Sequence, residues 1–216
     1  MVAETGASTR RRLVLVRHGQ TAWNAEGRAQ GHADVSLDDG GRRQAEVMAT
    51  ALAELDPVLL VSSDLARARE TAAFLEKATG LTAEEDPRLR EYDVGARTGL
   101  TREEFAERLG ADAALAWDVH AHVEAPGAET LEEVAERIVP ATREVLARLG
   151  PGETAVLVMH GAALRIALAG VLGWPVSTAD TLEAMANCGW AVLVEHGIGR
   201  LRLSSYNISA ESTPPD

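Results

Sequence analysis

Two histidines, each placed at the end of an apolar run and directly before a glycine, are the residues of this chain most able to do chemistry. His18 follows the run 13–16 and Arg17, and His160 follows the run 155–159. Apolar runs of this length predict strands that are buried on both faces. Because open α/β sheets place their sites at the carboxyl ends of such strands, we expect the two imidazoles to face one pocket.

The residues near these histidines suit a dianionic phosphoryl group. A neutral imidazole nitrogen can attack phosphorus, and the ordinary histidine pKa of about 6.5 leaves most rings unprotonated at neutral pH. His18 is therefore the candidate nucleophile. Arg17 and Arg67 stand at two strand exits, and a guanidinium is a permanently charged fork that matches two phosphate oxygens. We predict that both arginines neutralise the phosphoryl charge.

An alkoxide leaving group needs a proton, and a carboxylic acid is the expected donor. Glu91, in the stretch Leu-Arg-Glu at 89–91, is the candidate, with Asp93 and Glu129 as substitutes. Considered alone, each of these candidate residues could also have a purely structural role. Glu91 and Arg67 alone would fit a surface ion pair, and a lone histidine after a strand is more often a hydrogen-bonded structural group.

No metal site or cofactor is predicted. His120 and His122 are two residues apart without a third ligand, so a solvated loop is the favoured interpretation. The Gly-x-Gly at 197–199 is followed by an alternating, strand-like segment instead of a helix, and the chain has no Gly-Lys-Ser or Gly-Lys-Thr. Both nucleotide-binding fingerprints therefore fail.

The elements that must position these residues follow from the apolar spacing. Strands are predicted at 13–16, 58–61, 154–159, near 190–195 and near 200–204. Helices are predicted at 41–55, 66–78, within 101–117, at about 130–149 and at 162–172. The alternation of strands and helices predicts an α/β fold, a three-layer α/β/α sandwich around a mostly parallel sheet. We expect one domain over residues 11–209, with flexible tails at 1–10 and 210–216.

Composition excludes several partners. The formal net charge of −12 argues against nucleic acid and anionic membranes as partners, so an anionic small molecule would need a local cationic pocket. The single cysteine, Cys188, cannot form an internal disulfide, which fits a reducing compartment. Neither a spanning segment nor a signal peptide is recognisable, so the expected location is the cytoplasm.

Several segments together resemble a known family. Residues 17–24 read Arg-His-Gly-Gln-Thr-Ala-Trp-Asn, which resembles the signature of the histidine phosphatase superfamily, the phosphoglycerate mutase-like or two-histidine phosphatases. Segments 62–68, 89–91, 126–130 and 158–161 resemble further blocks of the same family. The resemblance covers most of the chain.

The resemblance implies a phosphoglycerate mutase-like fold and metal-independent hydrolysis of a phosphate monoester of a small metabolite. By the resemblance, His18 becomes a phosphohistidine and Glu91 is the acid, while Arg17, Arg67 and His160 hold the phosphoryl oxygens. It implies further substrate-binding residues, namely Thr21, Asn24, Gln30, Gly31 and Gly161.

Segments 13–34, 61–67 and 88–91 particularly resemble actinobacterial members of the family that act on glucosyl-3-phosphoglycerate. Two alternatives stay open. One is a mutase, in which a second hydroxyl instead of water takes the phosphoryl group, and the other is a non-catalytic module that binds phosphorylated ligands. A homodimer is implied by the family alone. The sequence also leaves open whether residues 111–128 form a mobile lid.

Overall fold

A computed structural model describes residues 9–110, 125–197 and 199–210 of the chain. His120, His122 and most of the segment 111–128 lie outside the described residues, as do most of the predicted tails. Of the tail residues that are described, Thr9 accepts a hydrogen bond at its carbonyl from the backbone nitrogen of Gly152, at 3.0 Å.

The described residues form six strands and six α-helices. The strands are β1 (Arg12–Arg17), β2 (Leu59–Ser62), β3 (Glu84–Glu85), β4 (Thr154–Met159), β5 (Trp190–Glu195) and β6 (Leu201–Ile208). The helices are α1 (Ala22–Ala25), α2 (Asp39–Ala53), α3 (Ala66–Thr79), α4 (Arg102–Leu109), α5 (Leu131–Ala147) and α6 (Gly161–Leu172). Short 3-10 helices cover Pro87–Leu89, Gly95–Arg97 and Val176–Thr181. None of the described helices combines the length and apolar character needed to cross a bilayer.

The strands form one sheet in the order β3-β2-β4-β1-β5-β6. The pairs β2–β3, β2–β4 and β1–β4 are parallel, whereas β1–β5 and β5–β6 are antiparallel. The predicted mostly parallel sheet is therefore confirmed, with two antiparallel pairings at one edge. Because Arg17 pairs with Met159 in the β1–β4 register, His18 and His160 leave the sheet side by side.

The central strands are covered on both faces. In β1, Leu13 and Leu15 belong to one buried apolar cluster and Val14 and Val16 to another. Residues of α5 and α6 complete the first cluster, and residues of α2 and α3 complete the second. Successive side chains of a strand point to opposite faces, so this division places two helices on each side of the sheet. The predicted three-layer sandwich is confirmed.

The predicted element boundaries shift where local contacts decide them. Helix α2 begins at Asp39, two residues before the prediction, because the Asp38 carboxylate caps it by accepting from the Gly41 nitrogen at 2.7 Å. It ends at Ala53, shortly before Asp56 adopts a positive φ of 48°. The two-residue strand β3 was missed, since both of its residues are exposed glutamates without an apolar pattern.

Candidate active site

A cavity of about 300 Å³ opens where the parallel strands end. Its wall contains most of the residues singled out by the sequence: Arg17, His18, Asn24, Gln30, Gly31, Arg67, Glu91 and Gly161. His160 and Thr21 are fully buried behind this wall. The topology thus gathers residues that are up to 144 positions apart, from Arg17 to Gly161, around one space.

His18 carries its lone pair on the nitrogen that a nucleophile needs. Its Nδ1 lies 2.7 Å from the Gly19 carbonyl oxygen, which can only accept, so Nδ1 holds the proton and Nε2 is unprotonated. Burial lowers the pKa of His18 well below its ordinary value of 6.5, and the charges of Arg67 and Arg17 lower it further. These effects favour the neutral form of the ring at physiological pH.

Arg67 is a fully buried cation held by uncharged partners. Its Nη1 donates to the Ala33 carbonyl at 2.8 Å, its Nη2 to the Gly31 carbonyl at 2.8 Å, and its Nε to His160 Nδ1 at 3.1 Å. Burial lowers the pKa of Arg67 to about 10, so the group stays charged at neutral pH. Gly31 has a φ of +50°, and a Cβ there would lie 2.7 Å from Val94 Cγ2, so only glycine fits this turn.

Arg17 supplies a second cation beside His18. Its Nη1 donates to the Met185 carbonyl, while its buried Nε has no hydrogen-bond partner among the described residues. Burial also lowers the pKa of Arg17. A Cβ at Gly161 would stand 3.4 Å from that Nε, so the glycine keeps the space beside the guanidinium open. Partly desolvated cations with uncharged hydrogen-bond partners favour binding of an anion.

His160 supports Arg67 from behind. Arginine can only donate, so His160 Nδ1 is the acceptor and the proton lies on Nε2, which is 2.9 Å from Ser63 Oγ. The His160 and His18 ring centroids are 5.2 Å apart. Burial, followed by the charge of Arg67, lowers the pKa of His160 well below its ordinary value. A direct bond from this ring to a phosphoryl oxygen would require it to exchange the Ser63 contact.

The Glu91 carboxylate accepts hydrogen bonds from backbone N–H groups at the start of α6, where the N–H groups have no partner within the helix. Oε1 accepts from the Ala163 nitrogen at 2.8 Å and from the Tyr92 nitrogen at 3.1 Å, and Oε2 accepts from the Ala162 nitrogen at 3.1 Å. The bonds from Ala162 and Ala163 satisfy orphan donors of the helix terminus, and all three bonds orient the carboxyl group. Oε2 accepts one of these three bonds and Oε1 accepts the other two.

Of the predicted polar residues in the loop after β1, Asn24 and Gln30 line the cavity, and Thr21 is buried behind them. Thr21 is the N-cap of α1, and its backbone nitrogen donates to Asn24 Oδ1 at 3.1 Å. Asn187, which sequence reasoning missed, donates to the same Oδ1 at 3.3 Å and to the His18 carbonyl at 3.1 Å. Gln30 has a buried Oε1 that lacks a hydrogen-bond partner among the described residues. It is available to a ligand hydroxyl.

Residues 13–209 match the family model described as "Histidine phosphatase superfamily (branch 1)". This chain belongs to the histidine phosphatase superfamily. It is a phosphatase of this superfamily, whose enzymes act through a phosphohistidine.

Curated relatives and solved structures agree with the family. The chain is similar to the glucosyl-3-phosphoglycerate phosphatase of Mycolicibacterium vanbaalenii, with 37% identity over 93% of this chain and 96% of the relative. It is also similar to a probable phosphoglycerate mutase of Cronobacter sakazakii, with 34% identity over 82% of this chain and 81% of the relative. A solved mycobacterial glucosyl-3-phosphoglycerate phosphatase complexed with VO3 superimposes with a TM-score of 0.85 at 38% identity, covering 92% of this chain and 100% of that chain.

Three arginines of this histidine phosphatase line the cavity without having been predicted: Arg28, Arg97 and Arg165. Arg28 is paired with Glu26 and Glu104, each at 2.8 Å. Arg165 donates to the Leu182 carbonyl at 3.1 Å, and its buried Nε has no hydrogen-bond partner in the described part of the chain. Arg165 lies four residues after Gly161 on α6, and this helical spacing is the signal that would have found it.

The two substitute acids lie outside the cavity wall. Asp93 is 3.7 Å from His32, and Glu129 forms an ion pair with Arg137 at 2.7 Å. In the residues the structure describes, no group of three or more His, Cys, Asp or Glu side chains is placed to hold a metal ion.

Proposed function

We propose that this phosphatase hydrolyses its ester in two steps through His18. In the first, His18 Nε2 attacks phosphorus and forms a P–N bond while the P–O bond to the leaving group breaks. The Glu91 carboxyl gives its proton to the departing oxygen. Arg17 and Arg67 hold the phosphoryl oxygens, and His160 fixes the Arg67 guanidinium beside them.

In the second step, water replaces the alcohol. The Glu91 carboxylate takes a proton from water, the water oxygen attacks phosphorus and the P–N bond breaks. This returns neutral His18, a protonated Glu91 and free phosphate. The observation that carries the proposal is the contact of His18 Nδ1 with the Gly19 carbonyl, which leaves Nε2 unprotonated. The same cavity is lined by Arg17 and Arg67, two guanidiniums whose hydrogen-bond partners are all uncharged.

For the substrate, we propose a small phosphate ester that also carries a carboxylate, as in esters of 3-phosphoglycerate. The names of the mycobacterial relatives support this class. So does the charge of the cavity, where Arg165 and Arg97 add positive charge beyond the two arginines assigned to the phosphoryl group. Arg97 is only 6% exposed, and its guanidinium carbon lies 5.8 Å from the ring centroids of Tyr92 and Phe105, which hold its charge at the cavity wall. Asn24, Gln30, Gly31 and Gly161 complete the proposed substrate wall, with Thr21 behind Asn24.

A matched pair of esters tests both parts of this proposal. Phosphate release from 3-phosphoglycerate is compared with release from glycerol 3-phosphate, which has a hydroxymethyl group in place of the carboxylate. We expect Arg165→Met to lower kcat/KM for 3-phosphoglycerate by about 10- to 100-fold, the usual range for one charge-assisted contact, and to leave glycerol 3-phosphate within about threefold. The exposed Arg43→Met on α2 is the matched control. Equal losses for both esters would refute the carboxylate contact, and a chelator should change none of these rates.

The same incubation separates hydrolysis from phosphoryl transfer to a second hydroxyl. The similarity to a probable phosphoglycerate mutase is the observation that favours transfer. A mutase converts 3-phosphoglycerate into its isomer, whereas the proposed hydrolase releases free phosphate. A protein that binds the ester with neither product would be the non-catalytic module.

We also propose that the protein acts as a homodimer in the cytoplasm without nucleic acid as a partner. The formal charge of −12 supports the last point, because it opposes association with another polyanion. The family resemblance supports the dimer, and light scattering of the purified protein tests it by mass.

A further inference from the structure

The backbone that carries Glu91 is held by one arginine of the neighbouring helix. Arg137, on α5, donates through Nη1 to the carbonyls of Arg88 at 2.9 Å and Arg90 at 2.8 Å. Its Nη2 donates to the Glu91 carbonyl at 2.9 Å. One guanidinium thus binds three carbonyl groups within four consecutive residues, and the last of these belongs to the candidate acid itself.

Glu129 fixes the Arg137 guanidinium and also binds the backbone of Asp93, two residues after Glu91. Its Oε1 and Oε2 accept from Arg137 Nε at 2.9 Å and Nη2 at 2.7 Å, which is a bidentate ion pair. Oε2 also accepts from the Asp93 nitrogen at 2.7 Å, and the Glu129 nitrogen donates to the Asp93 carbonyl at 2.9 Å. The side chains of Arg137 and Glu129 are 19% and 22% exposed, so both lie largely out of water.

Glu91 is consequently anchored at two points. Its carboxylate lies on the N–H groups that begin α6, and its carbonyl is bound by Arg137 and by His32, whose Nε2 is 2.8 Å away. We propose that Arg137 and Glu129, called here the clamp, position Glu91 for proton transfer without touching the substrate. The inference rests on the proposed role of Glu91 as the acid. It makes Arg137 and Glu129 positioning residues, which agrees with the location of both outside the cavity wall.

The clamp should act on one part of the reaction only. Proton transfer requires the acid to reach the leaving oxygen at about 2.6–3.2 Å, so a small displacement of Glu91 slows that step. Attack by His18 does not depend on this segment, because His18 is fixed by β1 and by its own bond to Gly19. An ester with a poor leaving group needs the proton, whereas one with a good leaving group needs it far less.

The test compares an alkyl phosphate with 4-nitrophenyl phosphate, whose phenolate leaves without full protonation. We expect Arg137→Met to lower the rate of phosphoenzyme formation from the alkyl ester by about 10- to 100-fold, within the range of general acid catalysis, and from the aryl ester by less than about threefold. Arg143→Met is the matched control on the same helix, since Arg143 also donates to backbone carbonyls, of Gly170 and Val171, away from the cavity. It should leave the ratio of the two rates unchanged.

Two conservative variants keep the test decisive if Arg137→Met folds poorly. Arg137→Lys keeps the charge but loses the planar fork, and Glu129→Gln keeps the shape but loses the ion pair. Both should shift the ratio in the same direction by a smaller factor. Equal losses for the two esters, or no loss, in these variants would overturn the clamp.

Glu91→Gln is the reference that separates this inference from the proposed function. If Glu91→Gln is selective for the alkyl ester and the clamp variants are not, only the clamp fails. If Glu91→Gln itself slows both esters equally, the assignment of the acid fails.

Discussion

The same local sequence, His-Gly, follows the apolar strands β1 and β4, but the two histidines have different surroundings and hydrogen-bond partners. Both histidines are buried, and burial lowers the pKa of each well below its ordinary value. After His18 the chain continues as a loop, and the ring lines the cavity. His160 is followed at once by α6, and both of its nitrogens are taken by Arg67 and Ser63.

The partner of Nδ1 decides the difference. A carbonyl oxygen accepts, so Gly19 places the proton of His18 on Nδ1 and leaves Nε2 unprotonated, as the proposed nucleophile requires. A guanidinium donates, so Arg67 takes the lone pair of His160 Nδ1 and turns that ring into a support. Histidines at equivalent positions in the sheet therefore carry their protons on different nitrogens, and one hydrogen bond to each ring sets this difference.

Alanine at each histidine gives the largest expected contrast. His18→Ala removes the nucleophile, and we expect turnover to fall by on the order of 10⁴-fold or more, with no phosphoenzyme. His160→Ala leaves the nucleophile in place but frees Arg67 Nε, so we expect a smaller loss of about 10²- to 10³-fold and a detectable phosphoenzyme. Rapid-quench measurement of the phosphoenzyme checks both variants. Comparable turnover in the two variants would break the contrast.

The lowered pKa that His18 and His160 share should make the fold less stable at acid pH. Both stay neutral when folded and titrate at about 6.5 when unfolded, so below that pH the unfolded state binds more protons and the folded state loses stability. We expect the urea midpoint to fall between pH 7 and about pH 5. Carboxylates with lowered pKa, such as Glu129, add their own loss of stability only below about 4.5, their unfolded value. A flat or rising midpoint in the upper window would contradict the two buried neutral rings.

Much of the scaffold could be predicted because it depends on local patterns. The strand at 154–159 was predicted with its observed bounds, and the predicted helix at 66–78 ends one residue before the observed α3. The assignment to the histidine phosphatase superfamily came from the motif at 17–24 and the further matching segments, and it is confirmed by the family match. In these features the spacing of apolar residues, the helix caps and the sequence motifs all predict the same structure.

The supporting contacts could not be predicted, because they join residues that are distant in sequence. Arg137 stands 46 positions from Glu91, and nothing in the sequence of its own helix marks it as a partner of the segment at 88–91. The antiparallel direction of β5 and the bond from Ser63 to His160 also depend on tertiary placement. Apart from the helical spacing that links Arg165 to Gly161, no periodicity identifies which of the chain's many arginines will face the cavity.

The position of the phosphoryl group on the trapped intermediate tests the central claim most directly. The protein is mixed with substrate, quenched in base, in which phosphohistidine survives, and examined by peptide mass spectrometry and phosphorus NMR. We predict one phosphoryl group on Nε2 of His18, since Nδ1 of that ring is occupied by its proton and by Gly19. A phosphoryl group on His160, on Nδ1 of His18, or on no histidine during turnover would contradict the assignment.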